Sequence, residues 1–317
     1  MTTRYGITIP FDGVNLRDHR EWFNQLADLG YTDVWSAEVD GADGFTPLTL
    51  AAAWEPRLNL GIAVAPVFTR GAGLLAMSIA ALAEVAGGRF TVGLGASSAP
   101  VVERWNGISY EKPYARTRDV LDFVKRALDG EKIDHVYETF EVHGFKISRP
   151  VVERPTILLG ALRPGMLRLA GSQADGAILN WLSVGDVHQC RAEVGLDKMI
   201  AARLFVVPTT DSDTARFIGR RMISSYLTVP AYAEFHRWLG RGDQLTPMWE
   251  AWAEGDRKRA NEVIPDSVVD DLIIHGSYEE CREHVARYMD AGVQVPTIAI
   301  VPFGLDLREA VEGLAPR

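Results

Sequence analysis

Cysteine is scarce: Cys190 and Cys281 are the only two in 317 residues. They form no CxxC pair and no metal-ligand spacing. That argues against a disulfide framework, a dithiol centre and a zinc ribbon, and points to two reduced thiols. Basic charge is also short. Against 42 Asp and Glu stand 33 Lys and Arg, for a net charge of −9. Such a balance argues against nucleic acid or an anionic membrane as a general partner, but leaves room for a local basic pocket. Long hydrophobic runs are missing as well. Uncharged stretches such as Gly71 to Ala83 are shorter than the roughly 20 residues that cross a bilayer. With no apolar leader in "MTTRYGITIP", the expectation is a soluble, cytoplasmic protein. There is no HExxH, no GxxxxGK[ST] and no GxSxG. The histidines show no metal-ligand spacing and none falls at an expected strand end, so no metal site is expected.

What is present is a rhythm of short strands and longer helices. Strand patterns begin near Arg4, Thr32, Leu58, Arg89, Thr156, Asp175, Ala201 and Pro296. Helical patterns lie between them, such as "LRDHREWFNQLADLG", where Leu16, Trp22, Phe23, Leu26 and Leu29 recur at helical spacing and Gly30 closes the run. Strand–helix alternation implies parallel pairing with right-handed crossovers. Eight such units close most naturally into a (β/α)8 TIM barrel; an open doubly wound sheet is the competitor. No repeat or linker divides the chain, so residues 1–317 read as one domain. Two segments break the rhythm. Residues 131–150 read as a hairpin turning near His143-Gly144. Residues 228–271 read as an irregular, aromatic-rich insertion or lid.

In a barrel the chemistry sits at the C-terminal strand ends, so position along the chain becomes a sieve. Pro10, Glu38, Ala63, Val64, Gly95, Ala96, Ser97, Ser98, Gly160, Ala161, Leu162, Arg163 and Asn180 fall there. "TVGLGASS" is not a dinucleotide fingerprint, because serine stands where the third glycine is needed. Gly93 and Gly95 suit close backbone approach and a bend, or a simple packing turn. "ILLGALRPGMLRLA" ends a strand at Gly160 and opens a helix at Pro164, whose free N–H groups and Arg163 suit an anion. Glu38 is the one acid close to a strand tip; it can orient a ring edge, move a proton, or pair with an arginine. Trp54, Phe68, Trp105, Trp181, Tyr226, Phe235 and Trp238 are aromatic candidates for the surround. Such a mouth, poor in acid–base machinery, suits a cofactor that does the hard chemistry.

With "GYTDVWSAE", "LNLGIAVAPVFTRGAGLLAMSIAALAEVAGGRFTVGLGASS", "EKPYARTRDVLDFVKRAL", "PTILLGALRPGMLRLAGSQADGAILNWL" and "HGSYEECREHVARYMDAGV", the chain resembles the bacterial luciferase-like superfamily, and within it the coenzyme F420-dependent oxidoreductases. The resemblance runs from Tyr5 to Pro302. It implies a ring-binding barrel mouth, with a bulge after the third strand, often carrying a non-prolyl cis peptide, against one face of the ring. Ala63-Val64 occupies that place. It also implies a cofactor phosphate near the fourth and fifth strand tips, Gly95–Ser98 and Gly160–Leu162, with Glu38 as the acid after the second strand. Val39 and Ser98 stand where the sugar-phosphate dehydrogenases of the group carry a histidine and a glutamate, which argues against that reaction. The implied enzyme transfers a hydride between F420 and a small organic substrate, and is a homo-oligomer. The alternatives are an FMN-dependent monooxygenase served by a separate reductase, and a non-catalytic flavin-binding protein.

Overall fold

The computed structural model describes residues 4–149 and 151–316, which leaves Pro150 of the expected hairpin segment outside. In chain order the strands are β1 (Gly6–Thr8), β2 (Asp33–Ser36), β3 (Asn59–Pro66), β4 (Phe90–Gly95), β5 (Ile133–Val136), β6 (Glu141–Phe145), β7 (Thr156–Gly160), β8 (Gly176–Asn180), β9 (Met199–Val207), β10 (Ile273–His275) and β11 (Val295–Ile300). The helices are α1 (His19–Asp28), α2 (Thr46–Trp54), α3 (Ala72–Ala86), α4 (Pro113–Leu128), α5 (Pro164–Gln173), α6 (Val184–Val194), α7 (Ser212–Tyr226), α8 (Pro230–Trp238), α9 (Gly242–Ala253), α10 (Arg257–Glu262), α11 (Asp266–Leu272), α12 (Tyr278–Asp290) and α13 (Leu307–Gly313).

The strands pair in parallel in the order β1-β2-β3-β4-β7-β8-β9-β11, and β11 pairs with β1 to close the barrel. All eight expected strands are present, and closure rules out the open doubly wound sheet. Strands covered on both faces read as continuous apolar runs, as "LNLGIAVAP" and "MIAARLFVV" do.

Paired residues share a face, and here the inward face carries an unusual amount of glycine. Gly6 lies alongside Thr297, and Gly61 alongside Trp35. The Trp35 indole fills the axis between them. A Cβ on Gly61 would lie 2.2 Å from its ring, and one on Gly6 3.1 Å. The barrel is therefore packed shut below its mouth, as this fold requires.

Two segments differ from the sequence-based expectation. The hairpin β5–β6 turns at Tyr137–Phe140, where the Tyr137 N–H donates to the Phe140 carbonyl at 2.8 Å. Gly144 does have a left-handed φ of +67°. It sits inside β6 near a register shift, so that freedom makes a bulge and not the reversal. Residues 228–271 are not irregular but form four helices, α8 to α11. Their buried side chains, among them Leu245, Met248 and Ala260, pack with Ile218 and Ile223 of α7 in a second core. The short strand β10, which follows them, was not expected; it extends β9 in parallel and places His275 at a strand end.

Candidate active site

The site builds outward from the bulge in β3. The pairing of β3 with β4 shifts register between Ile62 and Ala65, and the Ala63–Val64 peptide is cis, as is Ile9–Pro10 at the tip of β1. Val64 turns toward the barrel interior, into space that three glycines leave open. A Cβ on Gly93, Gly95 or Gly160 would come within 3.3, 2.5 or 3.0 Å of the Val64 side chain. Their missing side chains make room for Val64, and Val64 sits among the central residues Trp35, Leu158 and Ile178.

The loop after β2 is tied at several points. Glu38 Oε1 accepts from Arg70 Nε at 3.1 Å, and Oε2 accepts from Arg70 Nη2 at 2.9 Å and the Gly44 N–H at 3.0 Å. Ser36 Oγ donates to the Gly44 carbonyl, and Asp43 Oδ1 accepts from the N–H groups of Phe45 and Thr46 at the start of α2. Arg70 also covers the Phe45 ring. The hydrogen bonds it donates to Glu38 raise the pKa of Arg70. Glu38 therefore holds a loop, with both oxygens occupied, instead of offering a free carboxylate.

The tips of β4 and β7 lie side by side through the pairing of Leu94 with Leu159. Beyond Gly95 the chain runs through Ala96, Ser97 and Ser98, all partly buried, and Ser97 adopts a left-handed φ of +61°. The Tyr110 hydroxyl donates to the Ser97 carbonyl at 3.1 Å and fixes that turn. Among the described residues the N–H groups of Ala96, Ser97 and Ser98 meet no protein acceptor. Beyond Gly160, the Ala161 N–H is already bonded to the Ile178 carbonyl at 3.1 Å, so it is not available to a ligand. Leu162 packs on the core. Arg163 is exposed, and α5 starts at Pro164 with no side-chain cap. Uncapped helix N–H groups, an exposed guanidinium and the free serine-loop N–H groups make this the anion-receptive corner of the mouth.

The tip of β8 closes the opposite side. Asn180 Nδ2 donates to the Tyr232 hydroxyl of α8 at 3.1 Å, while its Oδ1 is buried without a partner among the described residues. Trp181, also left-handed with φ +56°, stacks in a cluster with Phe205 and Tyr226. Thus the helical insertion does reach the mouth, through Tyr226 and Tyr232. Two expected aromatics lie elsewhere: Trp54 packs on Phe23 between α1 and α2, and Phe235 is buried against Trp238.

Two histidines that the sequence offered only as surface or helix-end residues are buried. His19 Nδ1 donates to the Asn15 carbonyl and Nε2 accepts from the Phe11 N–H, at 2.9 Å each, which anchors the chain just after Pro10. Burial lowers its pKa. Burial, and then the nearby Arg241, push His236 down to about 3. No sequence spacing announces either. Another residue missed by sequence is Arg203, which points into the barrel from β9 amid an apolar run.

Comparison with known proteins follows the same outline. The family profile described as luciferase-like monooxygenase matches residues 3–295. A Mycobacterium tuberculosis protein named, provisionally, a coenzyme F420-dependent oxidoreductase is 27% identical, over 89% of this chain and 90% of its own. The structure of the coenzyme F420-dependent tetrahydromethanopterin reductase from Methanopyrus kandleri superposes with a TM-score of 0.80 at 18% identity, covering 99% of this chain and 97% of that one. An F420-dependent secondary alcohol dehydrogenase, solved with an F420-acetone adduct, superposes with a TM-score of 0.77 at 13% identity, covering 98% and 97%. At these identities the superpositions speak for the shared fold.

Proposed function

The chain belongs to the luciferase-like monooxygenase family, and on that premise we propose that it is an F420-dependent oxidoreductase acting on a small organic substrate. The observation that carries the reading is the occupied carboxylate of Glu38. A mouth whose strand-tip acid is held by an arginine and a backbone N–H depends on a bound coenzyme for its chemistry. When bound, a deazaflavin exchanges a hydride at the carbon that replaces the reactive ring nitrogen of a flavin.

The residues fit such a group. The free N–H groups of Ala96, Ser97 and Ser98, the start of α5 and Arg163 would hold the phosphate of its side arm. Val64, Ala63 and Pro10 would support and border the ring. Asn180, through its free Oδ1, would accept a hydrogen bond from ring or substrate. Glu38 and Arg70 position the loop that borders the site. Preorganised contacts of this kind set the distance and angle on which hydride transfer depends.

The same reading takes residues 1–317 as one catalytic domain acting in the cytoplasm as a homo-oligomer. Among the described residues, no helix is long and apolar enough to cross a membrane. The candidate face for self-association is α3, whose only charged residue is Glu84. Its outer side exposes about half of Leu74, Met77 and Val85 (53%, 50% and 49%). A helix apolar on both sides needs a second covering surface, and a two-fold contact supplies one.

Titration with oxidised F420, followed by its visible absorption and fluorescence, tests the coenzyme. Saturable F420 binding is expected. Tight FMN binding without F420 binding would instead favour the monooxygenase reading that the family's description carries. Cofactor binding with no turnover over a panel of alcohols, carbonyls and alkenes would favour a carrier.

A further inference from the structure

The residues that end β8 and follow it are each held by a side chain from another element. Asn180 meets the Tyr232 hydroxyl of α8 at 3.1 Å. Trp181, in its left-handed conformation, has the wholly buried His236 of α8 against its backbone. The Leu182 carbonyl accepts from the Tyr288 hydroxyl of α12 at 2.8 Å. Ser183 Oγ accepts from Nη2 of Arg241, just before α9, at 2.8 Å. Tyr232 and His236 stand four apart on α8 and so share one face, the face turned to this segment.

Arg241 joins the two sides. Its N–H donates to the His236 carbonyl at 2.8 Å and closes the end of α8. Its Nη1 lies 2.8 Å from Asp186 Oδ2 at the start of α6, and both side chains are only 8% exposed. The same Asp186 oxygen accepts from the Ser183 N–H and hydroxyl, at 2.7 and 2.8 Å. Farther along α6, Gln189 Nε2 donates to the Trp238 carbonyl of α8 at 3.1 Å.

A buried ion pair is a weak source of stability, because desolvation offsets most of its attraction. The insertion already packs through Leu245, Met248 and Ala260. Apolar contact of that kind is non-directional. What the Arg241–Asp186 pair adds is direction: it fixes where α8 stands along residues 180–183. Asn180 is the point at which this reaches the site. Its side chain shares the inward face with Ile178, two residues earlier, and Ile178 packs at the barrel axis with Trp35 and Val64.

We propose that Arg241 is a positioning residue for the substrate side of the mouth. Its ion pair with Asp186 docks α8 so that Tyr232 orients the Asn180 amide, and this sets substrate affinity without acting on the anion-receptive corner at α5. The link to substrate rests on the oxidoreductase reading above, but the docking can be measured without coenzyme.

The experiment is a cycle of urea midpoints on the full-length protein. Tyr232→Phe removes the hydroxyl that meets Asn180, and is made both in the wild type and together with Arg241→Met and Asp186→Asn. The latter pair of changes removes both charges, so no unpaired charge stays buried, and it keeps an acceptor for the Ser183 N–H. Tyr232→Phe is expected to lower the midpoint of the wild type, and to lower that of the neutral background by less than roughly half as much. Arg241→Lys keeps the charge without the guanidinium fork. It serves as the background if the neutral one fails to fold, and should also shrink the shift. Equal shifts in all backgrounds, or no shift from Tyr232→Phe in the wild type, overturn the proposal. With a substrate that turns over, the neutral background should raise KM about tenfold and keep F420 affinity within about twofold of the wild type. An unchanged KM, or a lost F420 affinity, overturns the assignment to the substrate side. A wild type that binds no F420 removes the oxidoreductase reading, while the midpoint cycle still decides the docking.

Discussion

Arg70 and Glu38, 32 positions apart, meet at the barrel mouth with Nη2 and Oε2 2.9 Å apart. Both are largely screened from solvent, with side chains 19% and 16% exposed. Because Glu38 also receives the Gly44 N–H, the pair acts as one brace on the β2–α2 loop. Glu38→Gln and Arg70→Met should each cost about 1–3 kcal/mol of stability, and the double variant little more than either. Both should reduce turnover similarly and leave the shape of its pH profile unchanged. A fall confined to Glu38→Gln, with an altered pH profile, would mark Glu38 as a proton-transfer group instead.

Val64 and the glycines facing it are size-matched. Gly95→Ala puts a methyl group 2.5 Å from Val64 Cγ2. The expected loss is about 1–3 kcal/mol, read from urea or thermal unfolding. Adding Val64→Ala should recover much of it, because the clash is with that side chain. If the single variant unfolds like the wild type, the fit at the bulge is looser than its distances state.

Acid sensitivity follows from the buried histidines. His236 is pushed down to about 3 by burial and then Arg241, and His284 to about 4 by burial, Arg287 and His275. His19 is lowered by burial. The unfolded chain, titrating near 6.5, then binds more protons than the fold. Stability from these groups is fully present above about pH 6.5 and is lost as pH falls toward the folded values. The slope approaches ~1.4 kcal/mol per pH unit for a fully buried histidine. Urea midpoints at pH 7.5, 6 and 5 should fall progressively, and His236→Phe should flatten the trend. A flat wild-type profile over that range would contradict it.

Arg163 is exposed, so its removal should leave folding intact. If the α5 corner receives the coenzyme's phosphate, Arg163→Ala weakens F420 binding roughly threefold to tenfold. The deficit should shrink as salt is raised, since salt already screens the lost attraction. An unchanged affinity at low salt places the phosphate elsewhere.

Self-association through α3 is tested by Met77→Glu with Leu74→Glu. Light scattering after size exclusion should show the wild type as an oligomer and the variant as a folded monomer. A wild type that is monomeric at micromolar concentration removes the interface.

The barrel was legible because its strands are apolar runs set between amphipathic helices, a pattern that survives without any knowledge of partners. The hairpin reversal was not, because a left-handed glycine serves a bulge as well as a turn, and Gly144 serves the former. The helices of 228–271 were hidden by their own aromatics and by Pro247, which stands inside α9. In the site, the positions of the strand tips could be read from the chain, but not what each side chain meets there. Glu38 could be placed at the mouth, whereas its partner Arg70 arrives from the next βα loop. Arg203 reads as an interruption in "IAARLFVV"; only the inward register of a closed barrel turns it toward the axis.

The indole of Trp35 also acts as a depth gauge. Gly6 and Gly61 let one rigid ring span the shaft of the barrel, so the lowest point any occupant can reach is set by a single side chain. Trimming that ring, as in Trp35→Leu, lowers this floor without moving the rim.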